Sequence, residues 1–200
     1  MNKKYEFTDE VREVDGCRLH RIKALREFGD VEAGQLGGYI EYESNLSHAG
    51  NCWVSGEACV YGKALVCDNA WVYGRAMVFG HARIYENAWI RGNSQVYAAA
   101  EVYGKAQVHG DARVFGDARI YGNAEVHGDS QIYEKACIFE NAEVNGDSRI
   151  HGDSHVCGDA GVWGDLWGNT KLDHGIWNTI IEIDGKCYLI STTLRKVLLE

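Results

Sequence analysis

The stretch EVYGKAQVHGDARVFGDARIYGNAEVHGDSQI, residues 101–132, repeats one pattern every six residues. A β-branched side chain stands at every sixth position, a small residue lies two positions before it, and Gly usually lies two positions after it. The spacing continues in both directions without a skip over 19 positions. These are Val54, Val60, Val66, Val72, Val78, Ile84, Ile90, Val96, Val102, Val108, Val114, Ile120, Val126, Ile132, Ile138, Val144, Ile150, Val156 and Val162.

This period predicts a parallel β-solenoid. Two residues spaced two apart face the same side of a strand, so the small and the β-branched residue both point inward. Gly followed by Asn or Asp supplies the positive φ that a sharp corner requires. Three such edges close a triangular coil, and coils stack through parallel ladder bonds at about 4.8 Å. A heptad helix is excluded, because a period of six drifts off any single helical face.

The period breaks at both ends, which predicts three segments. Residues 1–48 form a predicted N-terminal hairpin, turning at Asp15-Gly16, and a Gly-rich cap; residues 49–166 form the β-helix. Residues 167–200 form a predicted C-terminal hairpin cap, turning at Asp184-Gly185, and then a short helix or strand. Solenoids need atypical end units to cover the open stack, so capping is the expected role of both ends, with recognition as the alternative.

Composition limits the classes of function. The formal net charge of −9 argues against a nucleic-acid-binding surface, which is usually basic. The seven cysteines include no CxxC pair, so we expect neither a disulfide framework nor a thiolate metal site. The N-terminus lacks the apolar core of a signal peptide, and no apolar run is long enough to span a bilayer. The chain is therefore expected to lie in the cytoplasm, away from membranes.

The residues before and after each β-branched position point outward, and residues one coil apart stack in columns. We call the residue before it the leading position and the residue after it the trailing position. On face one the leading column is Trp53, Trp71, Trp89, Gln107, Glu125, Glu143, and the trailing column is Ser55, Tyr73, Arg91, His109, His127, Asn145. On faces two and three the trailing columns are mainly aromatic, and are Tyr61, Phe79, Tyr97, Phe115, Tyr133, His151 and Cys67, Tyr85, Tyr103, Tyr121, Phe139, Cys157. Rings at the ladder spacing favour structural stacking over a cofactor site.

The tryptophans of face one indicate a contact surface. Trp53, Trp71 and Trp89, with Tyr73 beside them, could form an apolar patch of several hundred Å². Met77 adds apolar surface in the same N-terminal coils. Two occupants remain open: the chain's own N-terminal hairpin, and another subunit or a protein partner.

The polar half of face one contains the candidate catalytic residues. His109 and His127 stack one coil apart, and Glu125 shares a strand with His127. A His beside a carboxylate can act as a general base, and two imidazoles can recruit a metal. The alternative, that His simply replaces Tyr in an exposed column, is favoured because a flat surface does not exclude water. We therefore expect no metal and no resident cofactor.

The segment FGDVEAGQLGGYI (residues 28–40), which runs into the repeats, resembles bacterial and prophage hexapeptide-repeat proteins. The resemblance covers roughly residues 18–165 and implies an all-β, single-stranded left-handed parallel β-helix. Some members of this group are named acyltransferases, and for those the resemblance implies a loop pushed out of one coil, a catalytic His near a subunit boundary, and a trimer with acyl-CoA between subunits. The unbroken period from Val54 to Val162 predicts no such loop here.

Three functional hypotheses follow. The first is a non-enzymatic interaction or scaffold protein, forming a homo-oligomer (a dimer or a trimer). By analogy with prophage proteins, it would act on a bacterial host protein and could inhibit a defence component. The second is an acyl-CoA-dependent acyltransferase that uses His109 or His127. The third is a small-ligand sponge with pockets between subunits.

Overall fold

A computed structural model describes residues 3–183, 186–191 and 197–198. Within that part of the chain the protein is all-β, a single-stranded left-handed parallel β-helix of about 8 turns with a β-hairpin at each end. The predicted fold class is confirmed. In the same described part, no helix has the length and apolar character needed to cross a bilayer.

The strands of the β-helix fall where the period predicts them. Between residues 53 and 162, all of which the structure describes, each two-residue strand ends at one β-branched residue of the series. These strands, β4 to β22, are Trp53–Val54, Cys59–Val60, Leu65–Val66, Trp71–Val72, Met77–Val78, Arg83–Ile84, Trp89–Ile90, Gln95–Val96, Glu101–Val102, Gln107–Val108, Arg113–Val114, Arg119–Ile120, Glu125–Val126, Gln131–Ile132, Cys137–Ile138, Glu143–Val144, Arg149–Ile150, His155–Val156 and Gly161–Val162.

Each coil strand pairs in parallel with the third strand along the chain. Trp89 lies opposite Gln107, and Ile90 opposite Val108, so the register is one full triangular coil. The pairing builds three sheets, one for each face, and two of them continue into the terminal hairpins. Because side chains alternate along a strand, this single register sets which residues point inward on every coil.

The interior is apolar and closed. Every β-branched residue of the repeat is at most 2% exposed, and the alanines two positions before them are at most 1% exposed. At three of the four positions where Ser replaces Ala, the hydroxyl donates to the carbonyl three residues earlier, as in Ser94 to Arg91 at 2.8 Å and Ser154 to His151 at 2.7 Å, whereas the Ser130 hydroxyl is buried without a partner. The Ser replacements at these three positions therefore bury a hydroxyl that is hydrogen-bonded.

The corners depend on the left-handed backbone conformation. Gly56 and twelve further corner glycines have φ between +61° and +76°. Five corners carry another residue at positive φ, namely Asp68, Glu86, Ala98, Glu134 and Glu140. Acidic side chains at these corners accept a hydrogen bond from a backbone N–H one coil further on: Glu134 accepts from Gly152 at 2.7 Å, and Glu140 from Gly158 at 2.7 Å. That hydrogen bond offsets part of the strain, which costs a non-Gly residue about 1–2 kcal/mol.

The N-terminal segment closes one end of the rod. Strand β1 (Tyr5–Val14) pairs antiparallel with β2 (Cys17–Ala24) around the Asp15-Gly16 turn, which confirms the predicted hairpin. Strand β3 (Leu36–Ile40) pairs antiparallel with β2 and parallel with β5, and a 3-10 helix (Glu43–Asn45) follows. The hairpin thus extends the sheet of face two.

A buried lysine lies under this N-terminal cap. Lys4 is 0% exposed, and its Nζ donates to the Cys52 carbonyl at 2.8 Å. Burial lowers the pKa of the Lys4 ammonium group. The side chain satisfies a carbonyl at the end of the stack, where no further coil supplies an N–H.

The C-terminal end continues the sheets of faces one and three. Strand β23 (Lys171–Leu172) pairs with β21, and β24 (Ile176–Ile183) pairs parallel with β22 and antiparallel with β25 (Lys186–Ser191). The predicted hairpin is present, although its turn residues 184–185 lie outside the described residues. Of the predicted terminal helix or strand, the described part is strand β26 (Val197–Leu198), which pairs with β25.

The facing of the repeat can be tested with two adjacent residues. Val114 is 0% exposed and Arg113 is exposed. Val114→Asp should lower the free energy of unfolding by at least about 3 kcal/mol, because it buries an unpaired charge. Arg113→Asp should change it by about 0.5 kcal/mol or less. Urea unfolding followed by circular dichroism measures both, and equal effects would contradict the assigned facing.

Candidate functional site

The aromatic columns of faces two and three are stacked ladders. Neighbouring rings from Tyr61 to His151 on face two and from Tyr85 to Phe139 on face three lie 4.7–5.0 Å apart between centroids, with their planes within 3–7° of parallel. Burial raises the pKa of Tyr85 to about 12. Each ring already has aromatic neighbours, so these columns have a structural role that needs no ligand.

Trp53 does not belong to an exposed surface. It is 0% exposed, with Phe28 edge-on at 5.3 Å and Tyr5 edge-on at 6.3 Å. Of the two occupants that the sequence left open, the chain's own N-terminal segment covers this ring. The prediction that Trp53 contacts a partner is therefore corrected, because no partner can reach a ring sealed beneath the cap.

The remaining rings of this region form what we call the aromatic patch, which consists of Trp71, Tyr73 and Trp89. Trp71 is half-buried against the core, whereas Trp89 is 46% exposed. Tyr73 meets Trp89 edge-on at 6.1 Å and 80°. An exposed Trp with a single edge-on neighbour retains a large apolar surface that water solvates poorly.

Met77 lies on a different face. It is half-buried on face two, beside the satellite cluster of Leu19, Tyr39, Cys59 and Tyr61. The prediction grouped Met77 with the tryptophans because they share the N-terminal coils. In the structure Met77 packs against the cap and is not part of the aromatic patch.

The polar half of face one holds two histidine–carboxylate pairs. His109 Nε2 lies 2.6 Å from Glu125 Oε1, and His127 Nε2 lies 3.0 Å from Glu143 Oε1. The two imidazoles stack at 4.8 Å with 9° between their planes. Sequence reasoning placed Glu125 beside His127 on one strand, but each carboxylate pairs with the imidazole of the preceding coil. Glu143 was not named as a candidate, and the diagonal spacing of 16 residues is the signal that could have identified it.

These pairs lie on an open surface. The side chains of His109 and His127 are 19% and 22% exposed, and those of Glu125 and Glu143 are 40% and 45% exposed. A shallow pocket occupies another part of the surface, at a corner lined by Glu134, Lys135, Gly152, Asp153, Gly168 and Asn169. Among the described residues, no group of three His, Cys, Asp or Glu side chains is gathered to hold a metal ion.

Face one ends in another tryptophan. Trp163 occupies the trailing position of the last coil strand and is 37% exposed. Gly161 occupies the leading position there, and a Cβ on Gly161 would lie 2.5 Å from the Trp163 ring. Sequence reasoning did not include Trp163 in face one. The absence of a side chain at Gly161 is the signal that a ring lies flat at this end.

Comparison with known proteins gives one partial relative. No family model matches the chain. A protein from Escherichia coli (strain K12) named "Uncharacterized acetyltransferase YdcK" is 36% identical over 76 residues, which is 34% of this chain. The chain spans only 23% of that relative's length. Together with the fold, this match confirms the resemblance to hexapeptide-repeat left-handed β-helix proteins.

Two tryptophan truncations test whether the cap buries Trp53 and leaves Trp89 exposed. Trp53→Ala should lower the free energy of unfolding by about 3–5 kcal/mol, because it leaves a large cavity under the cap. Trp89→Ala should cost about 1 kcal/mol or less, since the ring is half solvated. Thermal and urea unfolding measure both variants. A Trp53→Ala variant as stable as Trp89→Ala would show that the cap does not seal Trp53.

Proposed function

We propose that this chain is a non-enzymatic interaction protein, a rigid rod whose aromatic patch makes a protein–protein contact. The observation that carries the proposal is Trp89, which is 46% exposed on a flat β-sheet face. On the other two faces the rings are covered by one another. Exposed apolar patches on soluble proteins usually mark interaction surfaces, and Trp is enriched at their energetic centres.

The regularity of the rod supports the same proposal. From Trp53 to Val162 the coils follow one another without an inserted loop, so face one is a continuous and preorganised surface. A rigid surface loses little conformational entropy when it binds, which favours affinity. The flat shape offers protein-sized contact area but encloses no reacting group.

A bacterial host protein is the further partner that we propose, following the resemblance to prophage proteins. A component of bacterial defence is one such partner, and the cytoplasm is the compartment in which the two would meet.

Association through the patch is tested with Trp89→Asp, using Arg113→Asp as a matched control on face two. Trp89→Asp should abolish the association of the chain with itself or with a purified host protein, because it places a charge at the centre of the contact. Arg113→Asp should associate like the wild type. Sedimentation and calorimetry measure this, with circular dichroism confirming an unchanged β-helix. Identical association of all three proteins would exclude the aromatic patch.

A second candidate function is acyl-CoA-dependent acyl transfer. It is favoured by the His109–Glu125 contact at 2.6 Å and by the name of the partial relative. In this reaction the imidazole would accept the proton of an acceptor hydroxyl or amine as that group attacks the thioester carbonyl. The CoA thiolate would leave and take up the proton.

The transferase candidate is tested with His109→Asn, and His155→Asn on face three is its control. If the reaction occurs, His109→Asn should lower acetyl-CoA turnover by about 100-fold or more, whereas His155→Asn should not. Release of free CoA thiol measures turnover, and calorimetry measures binding. Failure to bind acetyl-CoA at millimolar concentration would remove this candidate.

A further inference from the structure

We infer that the occupant of face one is a second copy of this chain, packed side by side and parallel about a two-fold axis that runs along the rod. The inference rests on the proposed function, since it names the partner of the same face. It depends on the outward residues of face one, which chemically complement one another across each coil.

The geometry of a two-fold axis parallel to the rod decides which columns meet. Rotation by 180° about such an axis keeps every coil at its own height and exchanges left with right. The leading column of one copy therefore faces the trailing column of the other, coil by coil. In a flat sheet these columns are two residues, or about 6.6 Å, apart, so the axis passes midway between them.

The pairs that meet are complementary in the five coils from Trp71 to Asn145. Apolar, cationic, amide and carboxylate groups each meet a suitable partner at the same height. Listing the residue of one copy first and that of the second copy next, the pairs are Trp71 with Tyr73, Trp89 with Arg91, Gln107 with His109, Glu125 with His127, and Glu143 with Asn145.

The Trp89–Arg91 pair lies at the aromatic end of this contact. In a single copy Trp89 is 46% exposed, and Arg91 Nε is buried without a hydrogen-bond partner. Across the two-fold axis Arg91 of each copy contacts Trp89 of the other, so the symmetry gives two equivalent contacts. A desolvated cation–π contact of this kind is favourable and particularly so for Arg and Trp.

The charges at the rim of face one fit the same arrangement. The corner that follows face one carries Asp111, and the corner that precedes the same strand carries Lys105, so the two charges meet across the axis. At the C-terminal end the Trp163 ring already covers Gly161 of its own chain, so this coil offers a ring surface and no matched pair.

An antiparallel arrangement centred on the coil of Gln107 satisfies fewer groups. An axis perpendicular to the rod through the coil of Gln107 would bring Arg75 to Asp147, but it would also set Asp111 against Asp111. It would place the ring of Trp89 against the carboxylate of Glu125, where a Trp ring gains nothing. Like charges that meet directly are destabilising, so the parallel arrangement is favoured.

The first experiment measures stoichiometry and affinity by sedimentation equilibrium of the full chain. We expect a dimer. Its dissociation constant should rise at least about 30-fold in Trp89→Asp, should also rise in Arg91→Gln, and should not change in Arg113→Asp. The Arg91→Gln change removes the guanidinium group but keeps a polar side chain, so it tests the contact if Trp89→Asp folds poorly. A monomer at all concentrations, a trimer, or a dimer insensitive to both face-one variants would overturn the inference.

The second experiment tests orientation with Asn145→Cys and a short bismaleimide, with the wild type as the blank for native cysteines. In the parallel dimer the two introduced thiols lie at the same height across the axis and should cross-link. In the antiparallel dimer they lie roughly 19 Å further apart along the rod, and the absence of cross-linking would overturn the parallel arrangement. If the chain is monomeric yet Trp89→Asp abolishes binding of another protein, the inference fails while the proposed function stands.

Discussion

The contact on which the whole rod depends is the stacking of one β-branched side chain on the next across the coils, inside a triangle that leaves room beside it only for a small residue such as Ala, Ser or Cys. Val96 lies over Val78 and under Val114 through parallel ladder bonds at a one-coil register. Because the same residues supply both the core and the ladder, burial and backbone pairing cannot be separated. A shift of one residue would turn every inward side chain to water.

The corners show how the same constraint tolerates variation. A corner must adopt positive φ, and Gly does so at little cost. At Glu134 and Glu140 a carboxylate takes that place and accepts the N–H of the next coil. The corner thus exchanges conformational freedom for a charge-assisted hydrogen bond, and the rod gains acidic groups along its edges.

Outward positions need not be small or apolar, so the residues available for binding lie there. On faces two and three many outward positions hold stacked aromatic rings. Face one has aromatic residues at one end and histidine–carboxylate pairs at the other. The pairs His109–Glu125 and His127–Glu143 cross from coil to coil, so they tie neighbouring coils together as well as offering a base. A flat, open setting weakens such groups as catalysts and suits them to contact with another polar surface.

The sequence by itself determined the coil, the inward series from Val54 to Val162, the corners, and both hairpins, because each depends on local spacing and turn chemistry. Only the tertiary structure decided which outward residues remain available. Trp53 and Trp89 occupy equivalent positions in the repeat, yet the N-terminal cap buries the first and leaves the second 46% exposed. Likewise, Glu125 pairs with His109 of the preceding coil. Contacts between distant segments depend on how the cap docks and on the direction in which a side chain points. A six-residue sequence period gives no information on either.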